Sequence, residues 1–295
     1  MDMKDRLIDC LAYNGKVSIK CISSTNIVEE ARKIHDLSPT VSAALGRLLS
    51  ITSIMGYELK GEKDSVTNQI KGDGPIGTLT AVGESNGDVK GYVVNSKVDL
   101  PLNSENGKLN VGQAVGKHGM LYIIKDMGFG KPYVGMTPII SGEIAEDFTN
   151  YFATSEQTPS VVALGVLVDK NGIRTAGGYK LSLMPDATDD IITKIEEQVK
   201  HIDPISKMLD ENKTLEEIAK LVTGDNNIEI LSEVNPQYKC NCSKEKFEKG
   251  LISIGKEELK NIIEEDGKAE ILCNFCNKKY NFTKEELEHM LEKIK

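Results

Sequence analysis

Hydrophobic and polar positions change period several times along this chain, and each change predicts a different element. Residues 16–23 alternate as a strand does. Ile27, Val28, Ala31 and Ile34 then recur at helical spacing behind a capping Thr25. Val41, Ala44, Leu45, Leu48, Leu49 and Met55 fall on one face of a second helix opened by Ser38-Pro39. From 65 to 140 the runs are short and β-rich, separated by turn dipeptides such as Asn86-Gly87 and Asn106-Gly107, the pattern of antiparallel hairpins. A helix over about 142–155 leads into a strand at 161–169, an Asn171-Gly172 turn and a returning strand at 173–183. Residues 1–180 therefore read as one α+β core domain.

The next stretch, 181–235, reads as amphipathic helices without a core of their own. Asp189 or Asp190 precedes Ile191, Ile192, Ile195, Val199 and Ile202, and Asp203-Pro204 restarts a short helix. Thr214 with Glu217 forms a capping box ahead of Leu215, Ile218, Ala219, Leu221 and Val222, which Gly224 ends. Such helices must lay their apolar faces on a neighbouring domain, so this linker should undock easily. In 236–295 a helix runs through Leu259, Ile262 and Ile263, strands are expected at 269–272 and 280–282, and a final helix starts from the Thr283/Glu286 capping box.

Charge sharpens this division. Residues 1–180 carry 19 basic and 20 acidic side chains, 181–235 carry 5 and 13, and 236–295 carry 12 and 12. Nearly all of the net charge of −9 sits in the linker, where self-repulsion opposes compaction. Neither flank offers the single-sign basic surface that phosphate binding requires, so nucleic acid is not expected as a partner. No apolar run is long enough to cross a bilayer, and Asp9 breaks the Leu7-Ile8 pair before a secretory signal can form, so no membrane partner and a cytoplasmic location are expected.

In a reducing compartment six cysteines do not suggest a disulfide framework. Four of them form two close pairs, Cys240-Asn241-Cys242 and Cys273-Asn274-Phe275-Cys276, and thiols so spaced can meet at the corners of a tetrahedron, the arrangement Zn2+ prefers. Four thiolates leave no open position for substrate or water, which argues against hydrolytic metal chemistry. They also leave a net charge of about −2, which keeps the sulfurs open to oxidants and makes a redox role an alternative to a purely structural one. So few apolar residues accompany these cysteines that metal is needed for the last sixty residues to fold: structural zinc contributes about 10–16 kcal/mol in peptides, as much as the roughly 5–15 kcal/mol of a whole domain.

Other motifs carry less. Cys10 and Cys21 read as small buried hydrophobes, and His201 and His289 as surface helix positions. His118 reads as part of a hairpin turn. Gly72-Asp73-Gly74-Pro75-Ile76-Gly77 spells a dinucleotide fingerprint, but 78–82 alternates as a strand where that fingerprint needs a helix. Gly128-Phe129-Gly130-Lys131 lacks P-loop spacing, so no nucleotide is expected.

Taken with their order along the chain, several motifs resemble the redox-regulated heat-shock protein 33 family of bacterial chaperones. They are Gln69-Ile70-Lys71-Gly72-Asp73-Gly74-Pro75, Tyr151-Phe152 with Ser155-Glu156-Gln157 and Pro159, and Ala176-Gly177-Gly178 with Met184-Pro185. Lys239-Cys240-Asn241-Cys242-Ser243 and Glu265-Asp266-Gly267 followed by Cys273-Asn274-Phe275-Cys276 complete the set. The resemblance implies a holdase that uses no ATP and is not an enzyme, with 1–180 as dimerisation and client-binding domain, 181–235 as metastable linker and 236–295 as redox switch. It implies one zinc per chain on Cys240, Cys242, Cys273 and Cys276 in the reduced, inactive form. Oxidation would join Cys240 to Cys242 and Cys273 to Cys276, release zinc and undock the linker, and the active form would be a homodimer that captures unfolding proteins. Ile191, Ile195, Val199, Leu215, Ile218 and Leu221, or the core surface they cover, are then the candidates for client contact. A zinc-ribbon-like adaptor that binds protein or RNA constitutively is the alternative function, and a thiol oxidoreductase the enzyme alternative.

Overall fold

The computed structural model describes residues 4–104 and 107–294; Asn106 of the expected Asn106-Gly107 turn lies outside them. The chain forms two compact units, one ending at Lys239 and one beginning at Cys240.

The first unit opens with β1 (Arg6–Ala12) and β2 (Val17–Ser23), followed by α1 (Thr25–His35) and α2 (Pro39–Tyr57). Then come β3 (Ser65–Gly72), β4 (Thr78–Glu84), β5 (Val89–Val93), the short α3 (Val111–Val115), β6 (Gly119–Asp126) and β7 (Tyr133–Pro138). After α4 (Ala145–Thr154) the chain makes β8 (Ser160–Asp169) and β9 (Gly172–Leu183). The middle helices are α5 (Asp189–His201), α6 (Ile205–Asp210) and α7 (Leu215–Thr223), and β10 (Glu229–Val234) ends the series. Strands β5-β4-β3-β6-β7 make the antiparallel sheet expected over 65–140. A second antiparallel sheet has the order β10-β1-β2-β9-β8, and two of its members, β1 and β10, were not expected from the sequence.

Helix α2 lies between the two sheets. Every residue from Thr40 to Gly56 except Arg47 is buried, so the single apolar face expected for this helix is corrected to burial on nearly all sides. Close approach requires glycine: a Cβ on Gly83 of β4 would fall 2.3 Å from the Thr52 carbonyl oxygen of α2. Ser38 caps α2 as expected, its Oγ accepting from the Val41 N–H. For α1 the expected cap is corrected, because Thr25 is the first helical residue and the orphan N–H groups of Asn26 and Ile27 donate to the Asp5 carboxylate at 3.1 and 2.8 Å. Burial pushes Asp5 up to about 6 despite those hydrogen bonds.

The opposite face of the β10-β1-β2-β9-β8 sheet is covered by α5, α6 and α7. Ile8, Cys10 and Ala12 of β1 and Val17, Ile19 and Cys21 of β2 meet Ile191, Ile195, Ile205, Met208, Leu215, Ile218 and Val222 in one apolar cluster. The Thr214/Glu217 capping box is present, and Gly224 closes α7 with φ +69°. Arg6 on β1 ties this cover down, reaching Glu216 of α7 at 2.7 Å and Glu233 of β10 at 2.7 Å. The Gly72-Asp73-Gly74 segment is a junction: a Cβ on Gly74 would lie 2.3 Å from the Ala114 carbonyl oxygen, and the Asp73 carboxylate accepts from the His118 N–H. That close packing gives these glycines a structural role.

The second unit contains α8 (Lys244–Ser253), α9 (Lys256–Glu265), a β11 (Lys268–Leu272) and β12 (Lys279–Thr283) hairpin, and α10 (Lys284–Lys293) with the expected Thr283/Glu286 capping box. Its core is small, built on Leu251, Leu259, Ile263, Tyr280, Phe282, Leu287 and Met290 with Cys273 among them. Among the described residues no helix is long and apolar enough to cross a membrane.

Candidate metal centre

Two local structures in the second unit bring the four sulfurs together. Cys240 and Cys242 lie on the segment just before α8, whose start is fixed by Ser243 Oγ accepting from the Lys246 N–H. The single residue between them is held as well, since Lys246 Nζ donates to the Asn241 carbonyl at 2.8 Å. Cys273 and Cys276 sit in the turn that joins β11 to β12. There the Cys273 carbonyl accepts from the N–H groups of Cys276 and Asn277, Asn277 takes φ +56°, and the Cys273 N–H donates to the Lys278 carbonyl. Asn at this left-handed position agrees with its short polar side chain.

The sulfurs of Cys240 and Cys273 are 3.6 Å apart and those of Cys242 and Cys276 3.4 Å. All four ligand atoms lie within 4.8 Å of one another. A tetrahedral ion with metal–sulfur bonds of about 2.3 Å has sulfur–sulfur edges of about 3.8 Å, so the set fits such an ion with small adjustments. Any two sulfurs are near enough that distance alone does not select which would join on oxidation. Cys273 is buried and the other three are half-buried, which leaves the cluster within reach of a small oxidant.

Tyr280, read from the sequence only as a strand residue, is a polar neighbour of the sulfurs. Its hydroxyl lies 3.1 Å from Cys242 Sγ and 3.1 Å from the Cys242 carbonyl oxygen, and its ring packs on Phe247 with centroids 4.9 Å apart. Such an outer contact orients a ligand and tunes its charge. Burial opposes ionisation of Cys242, yet hydrogen bonds from Tyr280 and the other sulfurs outweigh it and bring the thiol to about 7. Burial pushes Cys240 and Cys276 up. A tyrosine near the cysteine turn was visible in the sequence, but nothing in its spacing announced a contact with Cys242.

The six residues singled out in the middle helices do not all lie alike. Ile191, Ile195, Leu215 and Ile218 are buried against the sheet and Val199 is partly buried with them. Leu221 is 43% exposed and faces away from that cluster. His201 and His289 are exposed, as expected.

Known proteins agree with this architecture. The Hsp33 protein family profile matches residues 5–283. A protein of Clostridium perfringens named 33 kDa chaperonin is 48% identical over 98% of this chain and 91% of its own length. One of the same name from Clostridioides difficile is 48% identical over 99% of this chain and all of its own. The crystal structure of the 33 kDa chaperonin (heat shock protein 33 homolog) of Thermotoga maritima superimposes with a TM-score of 0.88 at 35% identity, covering 98% of both chains. With its two five-stranded sheets, its helical cover and its four-cysteine unit, the chain belongs to the Hsp33 family.

Proposed function

We propose that this protein is a redox-regulated chaperone, an ATP-independent holdase that stays inactive while Cys240, Cys242, Cys273 and Cys276 are reduced and hold zinc. The observation that carries the reading is the meeting of four thiols, three of them half-buried, in a unit whose apolar core is small. Bound there, zinc would supply a tetrahedral cross-link between the segment before α8 and the β11–β12 turn. The chain's own residues do the rest. Lys246 and the Cys273 carbonyl hold the two cysteine segments in shape, and Tyr280 holds Cys242.

Oxidation joins Cys240 to Cys242 and Cys273 to Cys276. Each pair of thiolates gives two electrons to one hydrogen peroxide; its oxygen–oxygen bond breaks, a sulfur–sulfur bond forms, and two protons from solvent complete the two waters that leave. A sulfur so joined has no thiolate left for a cation. The second unit then loses what folds it. The layer of α5, α6 and α7, acidic and without a core of its own, undocks and opens the apolar sheet face beneath it. Unfolding proteins of the cytoplasm bind that face or the freed helices, with a homodimer as the active form and with no nucleotide, nucleic acid or membrane taking part. As a holdase it carries out no catalytic turnover.

The test follows metal and aggregation on one sample. Peroxide with mild heat should release about one zinc per chain to a chromogenic chelator, and the same sample should then suppress light scattering by a thermally unfolding client. Metal retained with no gain in suppression would sink the switch and favour a permanent zinc adaptor.

A further inference from the structure

Two thiols outside the metal centre are shut away from solvent. Cys10 of β1 and Cys21 of β2 have no exposed surface, and both face the cover, in the cluster that includes Leu215, Ile218, Ala219 and Val222 of α7. Cys10 pairs across the strands with Ile19, and Cys21 with Ile8, which makes the two cysteines diagonal neighbours on one face. Diagonal neighbours have Cα atoms about 7–8 Å apart, beyond the roughly 6.8 Å that a disulfide spans. Both are free thiols in the closed chain, and a partner for either can come from outside the chain.

We propose that Cys10 and Cys21 are cryptic modification sites: once the α5–α7 layer lifts, each exchanges with a small-molecule disulfide, and the group attached keeps the layer from closing again. This rests on the undocking proposed above. In the exchange the cysteine thiolate attacks one sulfur of the small disulfide. A new sulfur–sulfur bond forms, the old one breaks, and the departing half leaves as a thiolate that takes up the proton the cysteine lost.

The closed state suppresses this reaction in two ways. Access is absent, and burial followed by the charge of Asp9 and of Glu216 raises Cys10 to about 11, while burial raises Cys21 further, with Cys10 and Glu216 adding to it. Glu216 belongs to α7, so lifting the layer removes the burial and that charge together. A free cysteine near 8.5 is roughly a tenth ionised at pH 7.5, enough to react. A residue with no exposed surface leaves no space for an added group between sheet and helix, so the modified chain has to remain open.

The experiment uses the full zinc-loaded chain and glutathione disulfide, with Cys10 and Cys21 followed by peptide mass and opening of the layer by limited proteolysis within 184–228. In the reduced protein modification should be on the order of 100-fold slower than after peroxide and mild heat. Ile218→Asp, which places a charge in the cover, should expose both thiols with no oxidant. A chain opened with peroxide, alkylated with N-ethylmaleimide and returned to reductant and zinc should stay protease-sensitive, whereas Cys10→Ala/Cys21→Ala treated alike should close. Proteolysis that rises while both thiols stay unmodified overturns the inference, as does identical closure of the alkylated and double-alanine chains. If peroxide leaves the layer shut but Ile218→Asp exposes the thiols, the redox reading falls and the modification sites stand.

Discussion

The β10-β1-β2-β9-β8 sheet has a helical layer on each face, and the two layers differ in kind. On one face α2 is enclosed between this sheet and the β5-β4-β3-β6-β7 sheet and is buried almost all round. On the other, α5, α6 and α7 bury one side and leave the other to solvent; Lys194, Glu197 and Leu221 are exposed where the corresponding positions of α2 would meet protein. The inner layer cannot leave without dismantling both sheets. The outer one covers a single cluster and carries a concentration of negative charge. Under the proposed switch it is the layer expected to open first.

That contrast is best broken from the inside. Leu48→Ala in α2, fully buried, should cost about 2–5 kcal/mol and lower the urea midpoint of the whole first unit. Ile218→Ala in α7, equally buried, removes a side chain of similar size, but its effect should stay local. Hydrogen exchange of α5, α6 and α7 should accelerate while β3, β4 and α2 keep their protection. Leu221→Ala, on the exposed side of the same helix, should change exchange by no more than about 0.5 kcal/mol. Equal spreading of the Leu48 and Ile218 effects through the unit would erase the distinction.

Acid should act more weakly, on α7 and α1 alike. The Arg6 hydrogen bond holds Glu233 below the ordinary carboxylate range, and it outweighs the opposing burial of Glu216 to lower that group too. Groups lowered on folding stabilise the fold above their unfolded value of about 4.3 and lose that contribution as pH falls through the folded value. Glu29, brought down to about 2 mainly by Arg32, does the same for α1 but gives way later. Asp5 has the opposite sign: raised by burial to about 6, it favours the fold below about 4 and gives up that contribution as pH rises to 6. Between pH 7 and 3.5 the amides of α7 should therefore lose protection before those of α1, after correction for intrinsic rates. In Arg6→Gln that early loss should be largely gone, because α7 is already loosened at neutral pH.

Much of this was legible in the sequence, and the failures have causes. The β3–β7 sheet, the α5–α7 helices and the elements around the cysteines announced themselves through turn dipeptides, capping boxes and clear periods. Strand β1 did not, since Leu7 and Ile8 are both buried, one on each face, and a strand covered on both faces loses its alternation. Strand β10 was hidden for the opposite reason: a short edge strand with Glu229, Ile230, Leu231 and Glu233 exposed has no period to read. The cysteine grouping followed from spacing alone. The Tyr280 hydroxyl on Cys242 did not, because it depends on the β11–β12 hairpin turning that side chain toward the segment before α8.

Strand β10 has a consequence for anything that would occupy the face beneath α5, α6 and α7. Residues 184–228 leave from β9 and return to β10, strands of the same sheet, so the covering chain is tethered at both ends and cannot diffuse away. Its effective concentration over the face is on the order of millimolar, as for other short tethers. A competing polypeptide at micromolar concentration faces a disadvantage of roughly a thousandfold before any contact is compared. Occupancy is thus decided by how far the tethered cover has been weakened, and each restored increment of its stability returns the face to the chain's own helices in a first-order step.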